Sequence, residues 1–338
     1  MESSDNDVTI IWNNGVPKPE TLQGMSAYQK INHFPRSFEI TRKDLMHRNI
    51  SKMQARHGMN HFNFIPKTYI LPSETSTFLE DSEKLAKSKK NQWYIVKPHN
   101  QSQGRGIWLT DSVDEILKKQ KDCIVVSHYI NNPLLINNLK FDMRIYVGIT
   151  CFHPLRIYMY EEGLARFATY SYSKSGDSKE NPYVHLTNYS LNKYSDQFVA
   201  NEDENNDYVG HKWSLTALKE YLKNHGFDLE LIWGRIEDLV VKSIISIEGL
   251  VFSAMDMSVP FRDNCFEILG FDVLVDADLR PWLLEINLSP SMNTDSPMDL
   301  KIKGSMVADM MTMIGVVPVD QRYSVDKTYL ENATKAHY

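Results

Sequence analysis

Apolar and polar positions along this chain predict short strands flanked by helices. Apolar residues at helical spacing predict an early helix over residues 41–58, opened by Thr41 and closed by Gly58, and a longer helix over residues 229–247. Further helices are predicted at 111–121, at 213–225 and from 299 to 311. Short runs rich in β-branched and aromatic residues predict strands at 68–71, 93–96, 107–110, 123–126, 143–150, 156–160 and 165–169.

The last β unit reads as a hairpin with strands GFDVLVD (270–276) and PWLLEINLSP (281–290). Residues i and i+2 of a strand share a face, so Glu285 and Asn287 point the same way. A turn centred on residues 278–279 then places Asp272 opposite Glu285. With the flanking helices, such antiparallel pieces indicate an α+β (mixed α/β) fold in more than one lobe, and they do not resemble a doubly wound sheet.

The carboxylates of Asp272 and Glu285 and the amide of Asn287 form a hard oxygen site in this hairpin. Such a site suits Mg²⁺ bound together with substrate phosphates. A polar, solvated sheet face is the competing interpretation. Against it, the neighbours of Glu285 are apolar on both sides of the strand, and a buried carboxylate needs a cation. The sequence therefore favours a metal site here.

A second candidate site is the segment WYIVKPHNQSQGRGIWL (93–109), in which a strand ends at Lys97 and a loop contains Gly104 and Gly106. The lysine supplies positive charge, and the glycines let backbone N–H groups approach phosphate oxygens. The loop is not a P-loop, because it lacks the Gly-Lys-Ser/Thr ending. Taken alone, the segment is equally typical of a flexible hairpin.

A third group of polar residues lies on extended segments. Lys140, Asp142 and Arg144 share a face if their segment is a strand, which gives a row of alternating charge. Arg166 follows on the next β run, and residues 184–190 are a dense run of hydrogen-bonding side chains. For any one of these cations, ordinary cross-strand pairing at the surface is an open alternative.

Composition limits the class of protein. The chain has 338 residues, 37 Lys and Arg against 43 Asp and Glu, and a formal net charge of −6, which argues against a protein that coats polyanions uniformly. Its apolar runs are far shorter than the roughly 20 residues of a membrane span, and its acidic start is no signal peptide. We therefore expect two or three domains, a cytoplasmic location, and neither a nucleic-acid nor a membrane partner.

The order of the motifs resembles the tubulin–tyrosine-ligase-like family from His33 to about Gly315. The motifs are Lys97 with its glycine loop, VSHYI, KFDMR, GLARFAT, HLTNYS, FDVL and LLEINLSP. The segments HFPRSFEITRKD, YINNPLLI, YEEGLARFAT and NLSPS are most similar to the glutamylase branch, the tubulin polyglutamylases. The resemblance implies an ATP-grasp fold with ATP between two antiparallel sheets. It also implies a ligase that adds glutamate to glutamate side chains of tubulin C-terminal tails through an acyl phosphate.

The resemblance implies roles for single residues. ATP would be bound by Lys97, Gln103, Gly104, Ser127, His128, Tyr129, Ile130, Lys140, Phe141, Asp142, Thr187 and Asn188. The incoming glutamate would be bound by Arg166, Tyr189, Lys212 and Lys301, and Mg²⁺ by Asp272, Glu285 and Asn287. Lys43, Arg144 and Glu285 would act at the reaction centre. We expect an N-terminal segment at 1–41, a central ATP-grasp domain with the phosphate loop at 42–130, and a C-terminal domain with the metal and amino-acid sites at 131–338.

The cations Arg166, Lys212 and Lys301 favour glutamate as the amino acid, because free glutamate carries two carboxylates. A glycine ligase of the same family and a catalytically silent microtubule-binding module remain alternatives. The expected partners are tubulin tails or microtubules and free L-glutamate, with the chain itself a monomer. The expected location is the cytoskeleton, with the cilium or basal body as a more specific possibility.

Overall fold

Two antiparallel sheets form the framework of the protein. The computed structural model describes residues 8–88, 92–98, 104–173, 176–201 and 207–316. Its strands are β1 (Ile10–Ile11), β2 (Lys30–Ile31), β3 (Thr68–Leu71), β4 (Tyr94–Pro98), β5 (Trp108–Thr110), β6 (Ile124–His128), β7 (Leu135–Ile136), β8 (Leu139–Phe152), β9 (Leu155–Phe167), β10 (Lys212–Ser214), β11 (Glu267–Val275) and β12 (Pro281–Asn287). The four-stranded sheet has the order β3-β6-β4-β5, and the six-stranded sheet has the order β10-β9-β8-β11-β12 with β7 paired to β8.

Helices cover both sheets. They are α1 (Pro19–Gln23), α2 (Phe38–Thr41), α3 (Lys43–His57), α4 (Met59–Phe62), α5 (Thr75–Lys87), α6 (Val113–Lys119), α7 (Pro182–His185), α8 (Tyr189–Asn192), α9 (Leu215–Asn224), α10 (Leu229–Ile245), α11 (Glu248–Ser258) and α12 (Pro297–Met313), with 3₁₀ turns at Gly176–Glu180 and Arg262–Asn264. Over the ranges that the structure describes, none of these helices combines the length and apolar character needed to cross a bilayer. The predicted mixture of helices and antiparallel sheets is confirmed.

The two faces of the six-stranded sheet differ because side chains alternate along β8. Phe141 and Ile145 point into the main core, which α9, α10 and α11 help to form. The opposite face begins with polar Lys140 and Asp142 and ends with Tyr146, which packs against α12 through the cluster that contains Met306 and Met310. One half of this second face is therefore available for chemistry, and α12 covers the other half.

Two hydrophobic cores group the helices with the sheets. This grouping differs from the one that the predicted domain boundaries give. Met46 and Ile50 of α3 lie in the same core as Phe141 of the six-stranded sheet. The four-stranded sheet has its own core, in which Phe78 of α5 and Ile116 of α6 pack on the strands. The boundaries at residues 41 and 130 stay a prediction, while packing places α3 with the larger sheet.

Most predicted elements occur within two or three residues of their predicted ends, with two corrections. Thr41 is the last residue of α2 and does not begin α3. The backbone of Arg42 is extended, so Arg42 separates the two helices and occupies the N-cap position of α3. The strands predicted at 156–160 and 165–169 are one strand, β9. Gly163 lies inside β9, where a Cβ would be 2.4 Å from the carbonyl oxygen of Arg144. The close approach of β8 and β9 therefore explains why a glycine occupies this position inside a strand.

We expect Gly163→Ala to lower the free energy of unfolding by about 1–3 kcal/mol, because the new methyl group has to displace the backbone of β8. Urea denaturation measures the change. The matched control is Gly234→Ala in α10, where a Cβ meets nothing within 4 Å. Alanine there should stabilise the helix by roughly 0.5–1 kcal/mol. Equal effects of the two substitutions would contradict the close approach.

Candidate functional site

Charged side chains form two rows across the open half of the six-stranded sheet. In the first row, Lys212 of β10 lies opposite Arg166 of β9, which lies opposite Asp142 of β8. In the second row, Arg144 of β8 lies opposite Asp272 of β11, which lies opposite Glu285 of β12. The predicted pairing of Asp272 with Glu285 is confirmed. Positive charge therefore gathers near β10 and β9, and negative charge gathers near β11 and β12.

A local irregularity in β12 directs Glu285 toward this face. The pairing of β11 with β12 shifts by one residue, so Asp272 pairs with Glu285 while Val273 pairs with Leu283. Both Leu283 and Ile286 can then enter the core although they are three positions apart. Glu285 is left half-buried, with one fifth of its side chain exposed.

Four buried charges in the two rows form one ion-pair network. Arg144 donates from Nε to Oδ1 of Asp272 at 2.6 Å and from Nη2 to Oδ2 at 3.2 Å. Arg166 donates from Nε and Nη2 to Asp142 at 2.8 and 2.6 Å, and its Nη2 also lies 2.9 Å from Oδ2 of Asp272. Burial alone raises the pKa of Asp272, but the two guanidinium groups outweigh it and hold that pKa well below its usual range.

Two lysines face the acidic end of the network from outside the sheet. Lys43, at the start of α3, places its Nζ 3.2 Å from Oε2 of Glu285. Lys97 lies near the end of β4 in the four-stranded sheet, and burial lowers its pKa while the nearby charge of Glu285 partly restores it. Lys97 and Lys43 thus bring positive charge into the cleft that Asp272 and Glu285 also line.

The cleft between the two sheets is lined by most of the residues predicted to bind the nucleotide. These are Lys97, Gly104, Ser127, His128, Tyr129, Ile130, Lys140, Asp142, Thr187 and Asn188, together with Lys43, Asp272 and Glu285. The side chain of Phe141 does not face the cleft, because it points into the core and its ring centre lies 5.6 Å from that of Phe167. Gln103 lies outside the described residues.

The loop and the motif HLTNYS meet at one end of the cleft. Gly104 has a φ of +77°, and a Cβ on it would be 3.2 Å from Oδ1 of Asn188. A glycine at this position therefore allows both the left-handed backbone and the close contact with Asn188. The predicted glycine loop and the predicted polar run are adjacent in space.

A buried hydrogen-bond network that sequence reasoning missed fixes Lys140. Its Nζ donates to the hydroxyl of Tyr129 at 3.0 Å and to the carbonyl oxygen of His185 at 2.8 Å. The Tyr129 hydroxyl also lies 2.9 Å from Nδ1 of His185. Burial lowers the pKa of Lys140 to about 7, although Asp142 opposes this shift. The motif HLTNYS contains His185, but nothing in the sequence indicated contact with Tyr129 of the motif VSHYI.

A second buried cluster lies beyond the cation-rich end of the rows. Asp299 is 1% exposed and bonds to Nζ of Lys212, while its Oδ1 lies 3.0 Å from Nζ of Lys303. Nζ of Lys212 also lies 4.9 Å from the ring centre of Tyr189. Lys301 is exposed on α12, two residues before Lys303, which corresponds to about 200° around a helix. The structure thus brings Lys212 and Tyr189 together but places Lys303 there instead of Lys301.

The acidic end of the site has the donor atoms for a hard cation. Asp272 and Glu285 offer carboxylate oxygens, and Asn287 is held by its amide nitrogen, which donates to the carbonyl oxygen of Gly270 at 3.2 Å. A carboxylate oxygen bonded to a guanidinium keeps lone pairs for a metal, so these residues fit Mg²⁺. No cluster of three or more His, Cys, Asp or Glu suited to a metal occurs within the described ranges, so a cation here would take its further oxygen ligands from water or substrate.

Comparisons with known proteins agree with this geometry. The model of the tubulin-tyrosine ligase family matches residues 21–324. The chain is 46% identical to the human tubulin polyglutamylase TTLL5 over 331 residues, which is 97% of this chain and 25% of that protein. It is 41% identical to the tubulin polyglutamylase ttll-5 of Caenorhabditis elegans over 329 residues, 95% of this chain and 45% of that protein.

A monoglutamylase is also similar to the chain. The human tubulin monoglutamylase TTLL4 is 42% identical over 306 residues, covering 90% of this chain and 25% of that protein. The chain therefore spans between a quarter and just under half the length of these relatives. What it shares with them is the part that carries the two sheets and the cleft.

Proposed function

Since the chain belongs to the tubulin-tyrosine ligase family, whose fold is ATP-grasp-like, we propose that it is an ATP- and Mg²⁺-dependent ligase that adds glutamate to tubulin. The acceptor is the side-chain carboxylate of a glutamate in an acidic C-terminal tail. The observation that carries this proposal is the pair of charged rows, with cations at one end for an anionic amino acid and carboxylates at the other end for a metal. The proposed location is the microtubule cytoskeleton, including the cilium or basal body.

In this proposal the nucleotide lies in the cleft between the sheets. Lys97 and Gly104 contact its phosphates, residues 127–130 lie against adenine, and Thr187 and Asn188 approach the phosphate end. The contact between Gly104 and Asn188 supports a shared phosphate position for the loop and the polar run. Asp272, Glu285 and Asn287 hold Mg²⁺, which when bound supplies positive charge to the reacting phosphate oxygens.

The reaction joins a carboxylate to an amine, and a carboxylate is a poor electrophile. We propose that the acceptor carboxylate attacks the γ-phosphorus of ATP, which forms an acyl phosphate and releases ADP. The neutral amino group of glutamate then attacks the acyl carbon, phosphate leaves as the amide bond forms, and the nitrogen loses a proton to solvent. Lys97 and Arg144 stabilise the negative charge that develops on the transferred oxygens, and no nucleophilic side chain of the protein is needed.

Glutamate is proposed to bind at the cation-rich end of the rows. Arg166 and Lys212 are cross-strand neighbours, and Tyr189 lies beside Lys212. Asp299 holds Lys212 and Lys303 close to each other, which supports Lys303 as a second lysine of this site. Two carboxylates on one small ligand match these cations better than the single carboxylate of glycine does. This charge match favours glutamate over the glycine alternative.

The low pKa of Lys140 predicts that nucleotide binding takes up protons. With a pKa of about 7, Lys140 is mostly neutral at pH 8, and a triphosphate close to it favours the charged form. Nucleotide affinity should therefore fall as pH rises above about 7. Calorimetry at pH 8 in buffers of different ionisation enthalpy measures the uptake, which should be smaller in Lys140→Met. Binding of the wild type without proton uptake would show that Lys140 does not approach the phosphates.

The amino acid is tested by incubating the protein with microtubules, ATP and Mg²⁺ in the presence of labelled glutamate, glycine or tyrosine. We expect label from glutamate alone on tubulin, and no transfer when ATP is omitted. Transfer of glycine in preference to glutamate would replace the proposed ligase by the glycine alternative. Microtubule binding without transfer of any amino acid would support a silent binding module.

A further inference from the structure

Asp272 has two kinds of partner, the guanidinium groups of two arginines and the proposed metal ion, and both compete for its negative charge. Its carboxylate, 2% exposed, receives three bonds from the guanidinium groups of Arg144 and Arg166. It is also one of the two carboxylates at the proposed metal site. With Asp142 included, the four side chains have a formal charge of zero, so the arginines are already neutralised in this structure.

The two arginines differ in the number of acidic side chains with which they pair. Arg166 has a second acid, because Nε and Nη2 donate to the two oxygens of Asp142 at 2.8 and 2.6 Å. For Arg144, Asp272 is the ion-pair partner within the described part of the chain. If Asp272 changed partner, Asp142 would keep Arg166 in position, while Arg144 would be free to turn toward a new anion.

A divalent cation on an oxygen of Asp272 would lie only a few ångströms from both guanidinium groups. Like charges at that separation in a water-poor site repel strongly. The same cation draws the negative charge of Asp272 to itself, so that charge no longer neutralises the arginines. Binding of the metal with its nucleotide therefore acts on Arg166, which is proposed to hold glutamate, although the two ligands occupy different ends of the rows.

We propose that Asp272 couples the two sites. In the free enzyme it pairs with Arg144 and with Nη2 of Arg166. When the metal–nucleotide complex binds, it turns to the cation, which frees Arg166 for an anionic amino acid and Arg144 for the charge that develops at the reaction centre. This inference rests on the proposed function and adds an order of binding to it, nucleotide before glutamate. Coupling is reciprocal, so glutamate should also strengthen the binding of the metal–nucleotide complex.

Calorimetric titration of L-glutamate into the whole chain tests the coupling without any turnover. One titration uses the protein alone, and the other uses protein saturated with Mg²⁺ and a non-hydrolysable ATP analogue that has an imido bridge. We expect glutamate to bind about tenfold or more tightly to the loaded protein. Affinities that agree within a factor of about two would overturn the coupling.

Two variants separate the role of Asp272 in the network from its role as a metal ligand. Asp272→Asn removes the charge that neutralises the arginines, so we expect glutamate to bind about tenfold more tightly than to the wild type even without metal and nucleotide. Glu285→Gln alters the other carboxylate of the proposed metal site but leaves both arginine pairs in place. Glutamate affinity of unloaded Glu285→Gln should equal that of the unloaded wild type.

The outcomes distinguish this inference from the proposed function. If Asp272→Asn binds glutamate no more tightly than Glu285→Gln does, the coupling through Asp272 is wrong, while the proposed ligase stands. If glutamate fails to bind in every state and another amino acid binds with the expected dependence on metal and nucleotide, the glutamate assignment fails and the coupling stands. Thermal melting checks that Asp272→Asn is folded, and if it is not, the two wild-type titrations decide.

Discussion

Replacing Glu285 by glutamine is expected to reduce glutamate transfer to tubulin by at least about a hundredfold with a modest loss of stability. The substitution keeps the shape of the side chain but removes a charge from the proposed metal site. Glu285 is one-fifth exposed and its described ion pair, with Lys43, spans 3.2 Å. Glutamine keeps an oxygen that can accept from Lys43, so the free energy of unfolding should fall by about 1–2 kcal/mol. Initial rates of labelled glutamate incorporation and urea denaturation measure the two effects.

The matched control for this prediction is Glu161→Gln. Glu161 lies on β9 of the same sheet but is exposed and lies outside the cleft that the charged rows face. Its substitution removes the same charge from the protein and should leave the transfer rate within about twofold. Full activity of Glu285→Gln would remove Glu285 from the metal site. An equal loss in both variants would mean that overall charge, and not position, explains the effect.

Replacing Arg166 by alanine is expected to lower the free energy of unfolding by about 3–5 kcal/mol. The guanidinium of Arg166 joins Asp142 to Asp272, and both acids are nearly inaccessible to water, at 3% and 2% exposure. Without Arg166, Asp142 loses its bidentate partner and a buried charge is left poorly compensated. Urea denaturation monitored by tryptophan fluorescence measures the loss.

A surface ion pair supplies the comparison. Lys84 lies 3.4 Å from Asp81 on α5, with 71% of its side chain exposed. Because solvent screens this pair, Lys84→Ala should cost about 0–1 kcal/mol. If Arg166→Ala costs no more than Lys84→Ala, the four-charge network does not contribute to stability as its geometry indicates.

The hairpin of β11 and β12 could be predicted from sequence because its signal is local. Two strands separated by a short polar turn determine which residues are opposite, and Asp272 and Glu285 pair as expected. The shift that admits both Leu283 and Ile286 to the core has no equally local signal, since strict alternation would place these two residues on opposite faces. Sequence therefore predicts the partners in this hairpin but not the irregularity that helps to orient them.

The cation-rich end of the rows shows why contacts between distant segments are harder to predict. Lys301 and Lys303 are two residues apart, and only the packing of α12 shows that Lys303 turns toward Lys212. Asp299, which joins the two lysines, is a common residue in the first turn of a helix and carries no sign of its buried partners. Helix α5 was not predicted from the sequence; Phe78 is its one buried residue, so few apolar side chains mark its buried face.

Mass spectrometry of tubulin tails tests the central proposal most directly. Microtubules are incubated with the protein, ATP, Mg²⁺ and glutamate, and the tail peptides are then fragmented to locate each added residue. We predict glutamyl residues attached through the side-chain carboxylate of tail glutamates, dependent on ATP and lost in Glu285→Gln. Tails that remain unmodified, or that carry glycine when both amino acids are supplied, would contradict the proposed glutamate ligase.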